Sequence, residues 1–185
     1  MNPSPNLVLV GPMGAGKTSI GKRLAEHFGL PFADADRQIE AQTGASVSMI
    51  FDCEGEAGFR ARERALLAEL LSGTGHVIAT GGGAVLDPGN RQLLRERGFI
   101  VHLHADVQAQ LKRLARDRTR PLLQRDDREA VLHRLAAERA PLYADVADLR
   151  YDTSHQSCSE AAGALAQLLA TCWRRAAGPR QDAAP

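Results

Sequence analysis

Apolar residues in this chain fall into short continuous runs that alternate with longer stretches where they recur every three or four positions. Short runs read as buried strands and the three-to-four spacing as helices with one apolar face. Leu7 to Val10 is the first such run, followed by Ile20, Leu24 and Phe28, four apart, with Lys22 and Arg23 on the watered side. Phe32-Ala33, ahead of Asp34, predicts a short second strand, and helical spacing follows from Arg37 to about Gln42 and from Phe59 to Leu71. His76 to Thr80 predicts a third strand, ended by Gly81-Gly82-Gly83. Pro88 to Arg97 then predicts a helix, Gly98 to His102 a strand, and Val107, Leu111 and Leu114 another helix.

The segment from about Asp117 to Asp127 mixes charges around Pro121 without sustained periodicity, which predicts a mobile loop. Arg128 to Glu138 resumes the helical pattern, and Leu149 to Asp152 predicts a fifth strand. Ser157-Cys158-Ser159-Glu160 matches a capping box opening a last helix that runs to about Arg174. Gly178 and Pro179 stop it, and residues 176–185 read as a frayed tail. Strands alternating with helices imply a parallel sheet covered on both faces, an α/β fold whose ligands gather at the carboxyl ends of the strands. At 185 residues the chain suits one domain, spanning about 1–175 with the loop at 117–127.

Composition narrows the partners. Basic and acidic side chains number 23 and 22, so no overall field favours nucleic acid or an anionic membrane. Cys53, Cys158 and Cys172 are odd in number and widely spaced, which suits a reducing cytoplasm better than a disulfide framework. No apolar run has the length of a membrane span, and the first residues lack the pattern of an export signal.

The most specific feature is Gly11-Pro12-Met13-Gly14-Ala15-Gly16-Lys17-Thr18, which fills every fixed position of the pattern G-x-x-x-x-G-K-[ST] between a predicted strand and a predicted helix. Backbone N–H groups of such a turn converge on one point, and the helix start adds its positive dipole end, so phosphate is favoured there. Gly14, Ala15, Gly16, Lys17, Thr18 and Ser19 are therefore candidates for binding ATP phosphates. Lys17 reaches the β- and γ-phosphates, and the Thr18 hydroxyl is a candidate magnesium ligand.

A phosphate loop serves switches, motors and kinases alike, so other residues must choose among them. Asp34 and Asp36 place two carboxylates at a strand end, although acidic residues also suit a helix start for dipole reasons. Phe59-Arg60-Ala61-Arg62-Glu63 has the look of a solvated helix face as much as a site. Three consecutive glycines, Gly81 to Gly83, carry a chain-entropy cost and are useful where backbone must approach a ligand. His102 and His104, two apart on a strand, share one face and could bind a transition metal, but no third ligand lies near in sequence. Trp173 and Tyr143 read as packing residues.

Together, in order, these motifs resemble the shikimate kinase family, a nucleoside-monophosphate-kinase-like branch of the P-loop proteins. The resemblance rests on Gly11 to Thr18, Asp34-Ala35-Asp36, Phe59-Arg60 with Glu63, Gly81-Gly82-Gly83, Arg120-Pro121-Leu122-Leu123, and Glu138-Arg139 with Pro141-Leu142-Tyr143. It implies a P-loop NTPase-type three-layer α/β/α sandwich with a central five-stranded parallel sheet. The implied reaction moves the γ-phosphoryl group of ATP to the 3-hydroxyl of shikimate, with one magnesium ion, in a monomeric cytoplasmic enzyme.

The resemblance also assigns roles. Asp36 binds the substrate hydroxyl and accepts its proton, Arg60 and Arg139 clamp the carboxylate, and Gly81, Gly82 and Gly83 line the substrate. Guanidinium suits that clamp because it offers two parallel hydrogen bonds to a carboxylate. Asp34 holds magnesium through water beside Thr18, Arg120 closes a lid over the γ-phosphate, and Arg116 stacks on adenine. Another carboxylated-polyol kinase, such as one for gluconate, and a nucleotide-dependent binding protein without turnover remain open at this point.

Overall fold

The computed structural model describes residues 4–115 and 127–174. Five strands form one sheet: β1 (Asn6–Val10), β2 (Phe32–Asp34), β3 (Val77–Ala79), β4 (Gly98–His104) and β5 (Leu149–Asp152). All neighbours pair in parallel, in the order β2-β3-β1-β4-β5. The register sets Leu7 opposite Val77 on one side and Phe99 on the other, so β1 lies at the centre.

Helices cover both faces, and strand alternation decides which. Leu7, Leu9, Val77, Val101 and Leu103 point to one face, where they meet Ile20 and Leu24 of α1 (Lys17–Phe28) and Leu165 and Leu169 of α7 (Cys158–Cys172). Val8, Val10, Ile78 and Ile100 point to the other. There they pack on Ile39 of α2 (Ala35–Thr43), Leu66 and Leu67 of α3 (Val47–Ser72), Leu94 of α4 (Pro88–Arg97), and Tyr143 and Val146. The last two belong to α6 (Arg128–Val146), which packs on α5 (Val107–Leu114) through a smaller cluster containing Met13, Val107, Leu114 and Leu132. These layers make the expected three-layer α/β/α sandwich around a five-stranded parallel sheet.

Several boundaries differ from those read off the sequence. Helix α2 starts at Ala35, so Asp36 stands in its first turn while Asp34 ends β2 and caps the helix, accepting from Arg37 N. The two carboxylates therefore leave the backbone from different elements. Helix α3 begins at Val47, twelve residues or so before its periodicity is visible, because it is broken at Gly55 (φ 69°, ψ −178°) and no single helical period runs through both arms. Strand β4 continues to His104, and α6 continues past Glu138 through Pro141 to Val146. The capping box of α7 forms as expected, with Ser157 and Glu160 each bonding the other's backbone N–H, and the helix ends at Cys172. The 117–127 loop, apart from Asp127, and the 176–185 tail lie outside the described residues.

Candidate active site

Strand β1 delivers the phosphate loop at the carboxyl edge of the sheet. Gly11 is indispensable there: its φ is 142°, and a Cβ at that position would stand 2.2 Å from the Leu103 carbonyl oxygen of β4. Lys17 Nζ donates to the carbonyls of Gly11 and Pro12 at 2.7 and 2.9 Å, so the lysine ammonium lies along the loop. Arg113 of α5 reaches over to the Gly14 carbonyl and to Thr153, while Thr153 Oγ1 donates to Ala15 O. Sequence reasoning missed both residues as braces of the loop, because neither carries a motif and they meet it only across the sheet.

Beside the loop, Thr18 Oγ1 donates to Asp34 Oδ2 at 2.6 Å. This juxtaposition of a hydroxyl and a carboxylate at the phosphate end is a hard-oxygen donor set of the kind that fits magnesium. Thr18 and Asp34 are thus brought together as expected.

The adjoining cleft has a volume of about 680 Å³, its open mouth included, and is lined by Asp36, Arg60, Glu63, Gly81, Gly82, Gly83 and Arg139, with Met13, Val47, Phe51 and Phe59 as an apolar wall. All six substrate-site candidates therefore share one cavity, which Met13 of the phosphate loop also lines. Val47 and Phe51 come from the arm of α3 that sequence periodicity did not reveal. Phe51 and Phe59 pack ring to ring, with centroids 4.7 Å apart, across the break at Gly55. Such a wall suits the carbon face of a ring, and the opposing charged groups suit its substituents.

Electrostatics in this cleft are dense. Arg60 Nη1 pairs with Glu63 Oε2 at 2.6 Å, and Arg60 also bonds Glu56. The Glu63 side chain is fully buried, and its Oε1 has no hydrogen-bond partner among the described residues. Burial pushes the Glu63 carboxyl above its usual range, against the pull of Arg60 and with a further push from Asp36. Glu63 belongs to the site although the sequence reading gave it no role. Its signal was present, since three residues separate it from Arg60 and so place both on one helix face. Arg139 is buried on α6, and its Nε lacks a partner among the described residues.

The triple glycine answers to space as much as to backbone freedom. None of Gly81, Gly82 and Gly83 has positive φ. A Cβ on Gly83 would fall 2.2 Å from Arg60 Nη2, and one on Gly81 would fall 2.6 Å from Glu63 Oε1 and 2.8 Å from Asp36 Oδ1. A larger residue at Gly81 or Gly83 would displace the charged groups of the cleft, whereas a Cβ on Gly82 would meet nothing closer than 3.6 Å. Tyr143 Oη donates to the Gly82 carbonyl, and burial pushes this phenol up to about 12, so it stays a donor across the neutral range. The tyrosine read as mere packing thus makes a polar bond at the site.

His102 and His104 share a strand face as expected, but their rings are perpendicular, with centroids 6.0 Å apart. His102 instead stacks on Tyr143. Burial, reinforced by His104, Arg150 and Lys17, pushes it down to about 4, so it is neutral near pH 7. Arg116 and Arg120 lie outside the described residues.

Comparison with known proteins agrees with this geometry. The family profile described as shikimate kinase matches residues 13–170. Shikimate kinase of Stenotrophomonas maltophilia is 58% identical over 175 residues, 95% of this chain and 97% of that one. Shikimate kinase of Xanthomonas campestris pv. campestris is 58% identical over 179 residues, 97% and 99% of the two chains. The solved shikimate kinase from Acinetobacter baumannii, in complex with shikimate, superposes with a TM-score of 0.88 at 46% identity, covering 91% of this chain and 94% of that one. Likeness sustained at this identity over almost the full length leaves one conclusion: the chain belongs to the shikimate kinase family.

Proposed function

We propose that this chain phosphorylates the 3-hydroxyl of shikimate with ATP, giving shikimate 3-phosphate and ADP. The observation that carries the reading is the convergence of Asp36, Arg60 and Arg139 in one cleft that Met13 of the phosphate loop also lines. A related solved enzyme holds shikimate, and family membership favours this acceptor over gluconate or a second nucleotide.

Shikimate carries one carboxylate and three hydroxyls on a ring. Arg60, held by Glu63, and Arg139 take the carboxylate; the apolar wall takes the ring; Asp36 accepts the hydrogen bond of the attacking hydroxyl. As the hydroxyl oxygen bonds to the γ-phosphorus, the bond from that phosphorus to the β,γ-bridging oxygen breaks. Its electron pair leaves with ADP, and the hydroxyl proton passes to Asp36. Lys17 turns from the loop carbonyls toward the phosphates and offsets the charge of the group in transfer. Thr18 directly and Asp34 through water would hold magnesium, which when bound offsets phosphate charge. The backbone of Gly14 to Gly16, with Ser19, cradles the phosphates.

Arg120, on a lid at 117–127 that excludes water when closed, is assigned to the γ-phosphate, and Arg116, just before that lid, to adenine. The enzyme works as a single domain over 1–175, as a monomer, in the cytoplasm. Among the described residues no helix is long and apolar enough to cross a membrane.

ADP release from ATP and magnesium, measured with shikimate, gluconate and nucleoside monophosphates in turn, tests the reading. Turnover with shikimate alone is expected. Turnover with another acceptor would keep the kinase and reject the pocket assignment, and none with any acceptor would point to a binding protein.

A further inference from the structure

Helix α6 carries Arg139 and, one turn later, Tyr143, so both project from one side of the helix. Tyr143 is buried and does two things at once. Its hydroxyl donates to the carbonyl of Gly82, the middle residue of the triple glycine. Its ring lies on His102 of β4, with centroids 4.9 Å apart and planes 28° from parallel. His102 is itself buried, and its Nδ1 has no hydrogen-bond partner among the described residues.

Gly82 sits between the two halves of the site. From the position its Cβ would take, Gly11 O and Met13 N of the phosphate loop are each 3.6 Å away, and Arg139 Nη1 is 3.7 Å away. Because a trans peptide is planar, the Gly82 carbonyl and the Gly83 N–H point in opposite directions. Holding that carbonyl on Tyr143 therefore fixes where the Gly83 N–H points, and with it one backbone donor of the residue that Arg60 closely abuts. The same bond ties the glycine turn to the helix that carries Arg139.

We propose that Tyr143 is a positioning residue for the acceptor: its hydroxyl orients the Gly82–Gly83 peptide, and its ring, seated on His102, holds Arg139 at the height of the cleft. The inference rests on the reading of that cleft as the shikimate site. It places the larger effect on acceptor binding, since the bond ends on the glycine turn that lines the cleft and not on the phosphate loop itself.

Tyr143→Phe keeps the ring on His102 and removes the hydroxyl, which donates to Gly82 and is also hydrogen-bonded by the Arg139 side chain. The shikimate KM is expected to rise about tenfold, the size of effect a lost buried hydrogen bond gives. Over the same comparison kcat and the ATP KM should each move less than about twofold, the additivity expected of separate sites. A role in stability alone would lower the melting temperature without separating the two KM values, and that result, or unchanged kinetics, overturns the proposal. A second measurement does not need the variant. The chain has two tyrosines, and Tyr151 bonds Gln156 elsewhere. In a Tyr151→Phe background, shikimate should shift the ultraviolet absorption of Tyr143; a band moved by ATP but not by shikimate overturns the assignment. Absence of shikimate turnover in the unaltered enzyme would reject the functional reading itself, whereas normal turnover with an unchanged KM in Tyr143→Phe would reject only this inference.

Discussion

Thr18 Oγ1 donates to Asp34 Oδ2 across 2.6 Å, joining the first turn of α1 to the tip of β2. Asp34 also caps α2 through Arg37 N, so one carboxylate serves a helix and lies at the position proposed for the metal. Asp34→Ala should cost about 1 kcal/mol of stability through the lost cap. It should also raise the magnesium concentration for half-maximal activity by about tenfold or more, as removal of an outer-shell carboxylate does at other metal sites. A magnesium titration at saturating ATP and shikimate, beside a denaturant melt, separates the effects. An unchanged titration curve would move the metal's carboxylate to another residue.

Arg60 and Glu63 form a pair whose acid is fully buried. Arg60→Ala strips a buried carboxylate of its partner, and breaking such a pair from one side costs about 3 to 5 kcal/mol. The double change Arg60→Ala with Glu63→Gln removes the stranded charge and should recover much of that stability while shikimate binding stays weak. Denaturant melts of both variants, with shikimate affinity by calorimetry, check this. If affinity returns along with stability, Arg60 holds the fold and not the carboxylate.

Gly83→Ala tests the crowding argument. A methyl 2.2 Å from Arg60 Nη2 must push the guanidinium aside, since the backbone there (φ −101°, ψ 2°) is allowed for alanine. The expected result is a shikimate KM raised by about tenfold or more, matching roughly one or two kcal/mol of lost ion-pair geometry. The ATP KM should change little. Equal loss in both would mean that the glycine turn supports the phosphate loop as a whole.

His102 makes stability depend on pH. Its pKa is pushed down to about 4 in the folded chain, chiefly by burial, against about 6.5 when unfolded. Between those values the unfolded chain binds the extra proton, so stability falls as pH drops from about 6.5 toward 4 and levels off below, by up to about 3 kcal/mol. Glu63 works the other way, because its raised pKa contributes stability at low pH that is lost as pH rises. Comparing the unaltered chain with His102→Phe at each pH isolates the histidine. The variant keeps a ring on Tyr143 and should lack the extra slope; identical slopes would place the titration elsewhere.

Local chemistry left its mark on the sequence wherever a function needs contiguous residues. The phosphate loop was legible because its glycines, lysine and threonine must adjoin one another to wrap a phosphate. Strands β1, β3 and β4 were legible because buried parallel strands are short apolar runs, β2 and β5, only partly buried, by their place in the alternation with helices, and α7 because its cap is a four-residue box. The ordered motifs sufficed to indicate the family.

Tertiary structure alone decided what those motifs touch. Helix α3 hid its first arm because the break at Gly55 interrupts the helical period, although Val47 and Phe51 pack in the same cluster as Leu66 and Leu67. The glycines read as letting backbone approach a ligand, and Gly81 and Gly83 also make room for Glu63, Asp36 and Arg60, which approach from α3 and α2. Tyr143 read as packing because its bond to Gly82 spans 61 positions, and Arg113 gave no sign of reaching the loop 99 positions away. A sequence records spacing along the chain. These contacts depend on the parallel order β2-β3-β1-β4-β5, which brings distant segments to one edge of the sheet.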